Sequence, residues 1–309
     1  MILSILMKIG YIGLGRMGKN MVLHLLEQGI EVVAWNRSLG PREEVAKAGA
    51  TAVETVEEVI QKLNPPRIIW LMLPAGETTD EFINKVLPLL ESNDLLIDGA
   101  NSFYKDTLRR AEKIHAKGVH FLDIGVSGGP NGARTGACLM IGGAKEDLER
   151  VKELVEKASA PNAWGYFGGV GAGHFAKMVH NGIEYGMMES IAEGAAILKA
   201  SEFNFDLAEV FRVYQQRSVI ESRLVGWSEE ALSEDPNLDN YSSVIGHTGE
   251  GEWTVKTAQK LGVKTPVLED SLSVRVESEK DTEDSPNGFR NKLVSAMRGK
   301  FGDHKVRKN

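Results

Sequence analysis

Four polar residues, Lys177, His180, Asn181 and Glu184, stand at i, i+3, i+4 and i+7 among Phe175, Met178, Val179, Ile183, Met187 and Met188. That spacing puts them on one face of a helix. Burying four polar groups among apolar neighbours is costly unless they serve a purpose. One lysine, one carboxylate and two neutral hydrogen-bonding groups suit proton transfer. A desolvated lysine loses its proton near neutral pH and serves as a base, whereas a desolvated carboxylate keeps one and serves as an acid. The bland alternative is a solvated face on a surface helix. Against it, the opposite side is also apolar, and a helix apolar all round is buried.

A second cluster precedes it by far. Gly13-Leu14-Gly15-Arg16-Met17-Gly18 matches G-x-G-x-x-G. With 33 glycines the match alone is weak, but it follows an apolar strand and opens a helix. There the glycines allow a tight turn and let backbone approach a pyrophosphate seated on unpaired helix N–H groups. After the next strand comes Trp35-Asn36-Arg37-Ser38. An NAD-selective site carries an acid here for the ribose 2′-hydroxyl. No acid is present, and Arg37 with Ser38 suits a 2′-phosphate, so NADP is favoured and NAD is the alternative.

The elements that must position these residues alternate through the first half. Short apolar runs at Ile9–Ile12, Val32–Trp35, Ile68–Leu73, Leu95–Ile97, Phe121–Val126 and Ala137–Ile141 read as buried strands. Helical patterns lie between them at Met17–Gln28, Glu43–Ala48, Val56–Leu63, Thr78–Leu90 and Lys105–Ala116, and another covers Glu146–Lys157. The alternation predicts an N-terminal Rossmann-like, doubly wound, mostly parallel sheet over residues 1–168. Glycine-dense Gly168–Gly173 then opens one long helix, His174 to about Ala200. Helices follow at Leu207–Arg212, Ser218–Ala231, Glu252–Leu261, Pro266–Glu279 and Ser285–Arg298, so residues 169–309 form an all-α domain. The polar, basic stretch from Gly299 reads as an exposed tail.

Composition narrows the function. The 309 residues are 42% hydrophobic and 26% charged, ordinary for a folded soluble protein. A net charge of −7 argues against nucleic acid as a partner, while local cations still allow a small anionic substrate. The single cysteine, Cys138, excludes an intrachain disulfide framework and a cysteine-rich metal site, as a reducing cytoplasm would have it. It lies in an apolar run and is expected to be buried. No stretch approaches the ~18 apolar residues of a membrane span. The apolar start, Met1 to Met7, lacks the basic residues and cleavage site of a secretory signal; it is expected to extend the first strand or to precede a natural start at Met7. His24, His115 and His120 have no metal spacing and are expected at helix ends or the surface.

The segment Gly171-Ala172-Gly173-His174-Phe175-Ala176-Lys177-Met178-Val179-His180-Asn181-Gly182-Ile183-Glu184-Tyr185-Gly186 closely resembles the signature helix of the 6-phosphogluconate dehydrogenases, in the β-hydroxyacid dehydrogenase superfamily. The resemblance extends to Gly13–Gly18 and Asn36–Ser38, to Asp98–Ser102 and Asp123–Gly129, to Gly249–Thr254, and to Arg298–His304, which matches R-x-x-F-G-x-H. In length the chain is similar to the short form of the family. Thr248 stands where the long form has a lysine, so a phosphate contact from that position is not carried over.

The resemblance implies oxidative decarboxylation of 6-phosphogluconate with NADP or NAD, in the pentose phosphate pathway or gluconate utilisation. It makes Lys177 the base and Glu184 the acid, with no metal. It puts Ser127, Gly128 and Gly129 on the substrate carboxylate and Asn101, His180 and Asn181 on its hydroxyls. It puts Tyr185, Arg275, Arg298 and His304 on the phosphate. The cofactor would meet Gly13, Leu14, Gly15, Arg16, Met17, Gly18, Asn36, Arg37, Ser38 and Asn101. The tail would reach the partner's site in a homodimer or higher homo-oligomer. The rivals are a non-decarboxylating hydroxyacid dehydrogenase of the 3-hydroxyisobutyrate kind and a non-catalytic nucleotide-binding regulator. The first has no need of a proton donor at Glu184, and the second no need of the stripe.

Overall fold

The computed structural model describes residues 7–246, 249–302 and 306. The chain divides into two compact units, Met1–Met178 and Val179–Asn309.

The first unit is built on one sheet. Its strands are β1 (Lys8–Ile12), β2 (Glu31–Trp35), β3 (Thr51–Ala52), β4 (Ile68–Leu71), β5 (Leu95–Asp98), β6 (His120–Ser127), β7 (Ala137–Gly143) and β8 (Ser159–Tyr166), in the order β3-β2-β1-β4-β5-β6-β7-β8. β7 runs antiparallel to β6, while the other neighbours are parallel. The order reverses beside β1, so the carboxyl ends of β1 and β4 form the switch point where such sheets take ligands. Strands buried on both faces must be apolar throughout, as Leu95-Leu96-Ile97 and Ile124 are.

The helices are α1 (Arg16–Glu27), α2 (Leu39–Lys47), α3 (Val56–Gln61), α4 (Glu77–Val86), α5 (Tyr104–His115), α6 (Gly129–Thr135) and α7 (Lys145–Ala158). Two apolar cores flank the sheet. One gathers Met21, Val22 and Leu25 of α1 with Val151 and Leu154 of α7; the other gathers Val56 and Val59 of α3 with Ile83 of α4 and Ile114 of α5.

α8 (Ala172–Ala200) is continuous through the division between the units. The second unit carries only helices among its described residues: α9 (Leu207–Tyr214), α10 (Arg223–Glu234), α11 (Glu250–Lys260), α12 (Pro266–Glu277) and α13 (Pro286–Gly302). Its core joins Met188 and Ala192 of α8 with Phe211, Leu232, Leu293 and Met297. Among the described residues no helix is long and apolar enough to cross a membrane.

The expected α/β architecture with its helical successor is present, with local corrections. β8 contains Pro161, Asn162 in a left-handed conformation and Gly165, so it carries no strand pattern, and its pairing with β7 is irregular. Cys138 is exposed rather than buried, because the second residue of β7 points outward. α10 begins at Arg223, not Ser218, where Ser222 caps Val225 N–H. The supposed tail is helical as far as Gly302, and Arg298 is buried within α13. α8 is not buried all round, since Ile183 and Met187 are exposed.

Candidate active site

The nucleotide loop is shaped by what its glycines leave out. Gly13 has φ +104°, and a Cβ there would overlap the Met72 carbonyl; one at Gly18 would overlap the Gly13 carbonyl. Around Gly15 nothing lies within 4 Å, so backbone is open to a ligand. α1 starts there with no side-chain cap and no acid in its first turn. Its free N–H groups and dipole form an anion seat, which is what a pyrophosphate needs. Leu14 contributes backbone only: its side chain is in the core, and its N–H donates to Asn36 Oδ1 at 2.9 Å. Asn36, partly exposed, thus braces the loop. Met17 is half-buried against the core, whereas Arg16 is exposed. Arg37 and Ser38 are exposed at the start of α2, which has neither a side-chain cap nor a first-turn acid. These residues fit a dinucleotide, and the basic, acid-free end of β2 fits one carrying a 2′-phosphate.

Asp98, fully buried at the end of β5, organises the next loop. It accepts from Ala100 N–H, the Ser102 hydroxyl and Arg110 Nη1 at 3.0, 3.0 and 3.2 Å. Asn101 is left-handed at φ +50°, and its amide clasps Val126 of β6, Nδ2 donating to the carbonyl at 3.0 Å and Oδ1 accepting from N–H at 2.8 Å. The second amide hydrogen has no partner among the described residues. Arg110 was not singled out from the sequence, yet it binds Asp98, Ser102 and Asp80 at once. Arginine on an amphipathic helix gives no local sign that it points inward. Past β6, Gly128 is left-handed at φ +113° and opens α6, so Ser127, Gly128 and Gly129 form a strand-to-helix turn.

Asp123 of β6 fixes the start of α8. Its Oδ1 accepts from Gly171 N–H at 2.6 Å and its Oδ2 from His174 N–H at 2.8 Å. A buried carboxylate on a helix N-terminus satisfies orphan donors and complements the dipole. His174 Nδ1 lies 2.7 Å from the Thr107 hydroxyl of α5, a second anchor. Cβ atoms at Gly125 or Gly173 would overlap, respectively, the Lys177 side chain and the backbone of β6 and β7. The first turn of α8 therefore rests directly on the sheet, and Lys177 is 6% exposed.

Further along α8, His180 Nδ1 lies 2.9 Å from Asn181 Oδ1 and 3.8 Å from Glu184 Oε2. Asn181 is buried; His180 and Glu184 are partly so.

The second unit holds a cationic pocket around Tyr185. Arg275 of α12 covers the Tyr185 ring, its guanidinium carbon 3.4 Å from the centroid. Gly251 of α11 packs on the same ring, where a Cβ would approach to 2.5 Å. Arg298 of α13 is buried near Gly246. Burial pushes the Arg275 pKa down to about 10, with Arg298 repelling it, and burial lowers Arg298 as well. Both remain charged at neutral pH. Among the described residues neither forms an ion pair. Buried cations without partners are costly, and an anionic ligand would relieve that cost. Thr248 and His304 lie outside the described residues.

The chain was compared with known proteins. Residues 8–171 match the model described as the NAD binding domain of 6-phosphogluconate dehydrogenase, and residues 173–287 match that of its C-terminal domain. A Bacillus subtilis protein, YqeC, provisionally named a 6-phosphogluconate dehydrogenase, is 42% identical over 98% of this chain and 100% of its own. The NAD(+)-dependent, decarboxylating 6-phosphogluconate dehydrogenase of Haloferax volcanii is 36% identical over 97% and 98%. Among solved structures, Plasmodium falciparum 6-phosphogluconate dehydrogenase, studied with NADP+ and with 6-phosphogluconate, superposes with TM-score 0.80 and 33% identity, over 94% of this chain and 70% of that one.

Proposed function

Because the chain belongs to the 6-phosphogluconate dehydrogenase family, we propose that it converts 6-phospho-D-gluconate into D-ribulose 5-phosphate and CO2, with NADP favoured as acceptor over NAD. That it is an NAD(P)-dependent dehydrogenase of this family follows from membership; the decarboxylating step is what we propose beyond it.

The observation that carries the reading is the pair of buried arginines at Tyr185, which form no ion pair among the described residues. A small hydroxyacid without a phosphate would leave those two charges unmatched. Arginine's planar fork binds a phosphate bidentately. Ser127, Gly128 and Gly129 would take the substrate carboxylate, and Asn101, His180 and Asn181 its hydroxyls.

The Gly13–Gly18 loop and Arg37 would hold the dinucleotide, which would supply the hydride acceptor for C3. Lys177, neutral at the outset, takes the C3 hydroxyl proton as that hydride leaves. The product is a β-keto acid. Its C1–C2 bond breaks, CO2 departs, and the electron pair moves into a C2–C3 double bond as Lys177 returns its proton to the C3 oxygen. Glu184, carrying a proton, then protonates the former C2, which becomes C1 of the ketose, while Lys177 removes the hydroxyl proton from the neighbouring carbon. Atoms and charge balance without a metal.

In this reading residues 1–168 bind the dinucleotide, and residues 169–309 serve the substrate and a homodimer contact. Exposed Ile183, Met187 and Ile197 of α8, with Val267 and Val276 of α12, supply apolar surface for a second copy. The cytoplasm is the proposed location.

The test is one assay with 6-phosphogluconate, NADP and NAD in parallel, recording reduced cofactor and CO2 together. Equal yields of both support the proposal. Reduction without CO2 makes the protein an ordinary hydroxyacid dehydrogenase, and no turnover sinks the sugar-phosphate reading.

A further inference from the structure

A buried carboxylate stands one helical turn beyond Tyr185. Glu189 is 4% exposed, and neither side-chain oxygen accepts a hydrogen bond among the described residues. Arg290 Nε approaches Oε1 to 3.2 Å, within ion-pair reach but poorly directed for a hydrogen bond. Arg290 is shared, lying 3.3 Å from Asp281 and 2.9 Å from Asn291 Oδ1. The other cation acting on Glu189 is Arg275, whose Nη2 lies 3.6 Å from the sulfur of the adjacent Met188. The charged groups facing Glu189 are Arg290, Arg275, Glu193 and Asp281. Arg275 in turn faces Arg298 and Glu184. Desolvation outweighs both arginines and lifts Glu189 to about 7. No step of the proposed reaction uses it.

We infer that Glu189 is a proton-linked positioning residue for the arginine pocket: its carboxylate, held 3.2 Å from Arg290, places negative charge near Arg275 when no ligand is bound, and it takes up a proton when a dianion binds. The inference rests on the reading of that pocket as a phosphate site. The physical reason is like-charge repulsion. Arg275 stacks on Tyr185, one helical turn before Glu189, so the charge of a dianion held by that arginine would disfavour a second anion at Glu189. Linkage makes the effect reciprocal, so protonation of Glu189 tightens the dianion. The free carboxylate titrates near neutrality, and the bound complex titrates higher. Between those two pH values each unit of rising pH weakens dianion binding by about tenfold. Gluconate, which lacks the phosphate, escapes this dependence.

The probe is sulfate, which stays dianionic throughout the neutral range and adds no titration of its own. Its binding to the intact protein is measured calorimetrically from about pH 6 to about pH 8.5 in buffers of different ionisation enthalpy, which count protons exchanged. Wild type is expected to take up most of one proton per sulfate, and Glu189→Gln none, with an affinity flat in pH. A merely structural role for Glu189 would not move the proton count. Equal uptake by the two proteins, or none by wild type, overturns the inference while leaving the pocket intact. No sulfate binding, or binding unaltered in Arg275→Met, overturns the pocket reading and this one with it. Should Glu189→Gln melt below the assay temperature, wild-type infrared spectra decide: a protonated-carboxyl carbonyl band appearing with sulfate supports the inference, and its absence overturns it.

Discussion

Gly125 of β6 lies directly against Lys177 of α8, so near that a methyl group on residue 125 would overlap the Cβ and crowd the Cγ of the lysine. The glycine lets the helix rest on the sheet, and the sheet thereby sets where the amine stands. Gly125→Ala is expected to push α8 off β6 while leaving the dinucleotide loop untouched. We predict a kcat lower by about a hundredfold, the scale for displacing a catalytic group by ~1 Å, with the Kd for NADP within about threefold of wild type. Near-normal kcat would show that the position of Lys177 is not set by this contact.

Asp123→Asn should destabilise the first unit without touching the reacting atoms. The carboxylate accepts from Gly171 and His174 N–H with its two oxygens. An amide can offer only one oxygen, and its NH2 then faces a donor. The cost is expected near ~2 kcal/mol. For a unit of this size that lowers Tm by about 4–8 °C. An unchanged calorimetric Tm would mean that backbone shifts or water replace the cap.

Arg37→Glu tests the cofactor preference. Arg37 is exposed at the end of β2, with no carboxylate to bind a ribose hydroxyl nearby in that turn. Substitution by an acid should lower kcat/KM for NADP by about a hundredfold, or ~2.7 kcal/mol, and leave NAD within about threefold. Equal losses with both cofactors would remove Arg37 from the 2′-phosphate.

Arg275→Met should act on the phosphate end alone. The guanidinium stacks on Tyr185 with no ion pair among the described residues, so a methionine of similar reach keeps the packing and removes a desolvated charge. KM for 6-phosphogluconate should rise by about a hundredfold, the range for losing a charge-assisted contact of ~2–3 kcal/mol. The protein should melt close to wild type, since a buried cation with no ion pair among the described residues is itself a cost that offsets the lost stacking. A KM within about threefold would free Arg275 from the phosphate.

Most of the architecture was legible because the hydrophobic effect writes period and burial into the chain. Strands buried on both faces appear as apolar runs in β1, β4, β5 and β6, and α8 shows as one long helical pattern. Where the period fails, the element leaves no such trace in the chain. β8 is held by its neighbour β7 across an irregular pairing rather than by its own residues, and α6 begins on two glycines and a proline. The outward turn of Cys138 depends on the pleat of β7, which an unbroken apolar run conceals.

The sequence by itself determined the chemistry on offer: a glycine loop between strand and helix, an acid-free strand end with Arg37, and a lysine and carboxylate two turns apart on one helix. Those relationships are local, and local geometry follows from spacing. Only the tertiary structure decided which groups are anchored and which are in tension. That Asp123 caps α8, that Asn36 and Asn101 brace loops, and that Arg275 and Arg298 are buried near Tyr185 with no ion pair among the described residues all depend on residues far apart in the chain. The same holds for Glu189, an ordinary glutamate in the sequence, whose proton is governed by desolvation and by two arginines some ninety to one hundred positions away in the chain. Burial and long-range charge are properties of the folded surroundings, and no spacing rule encodes them.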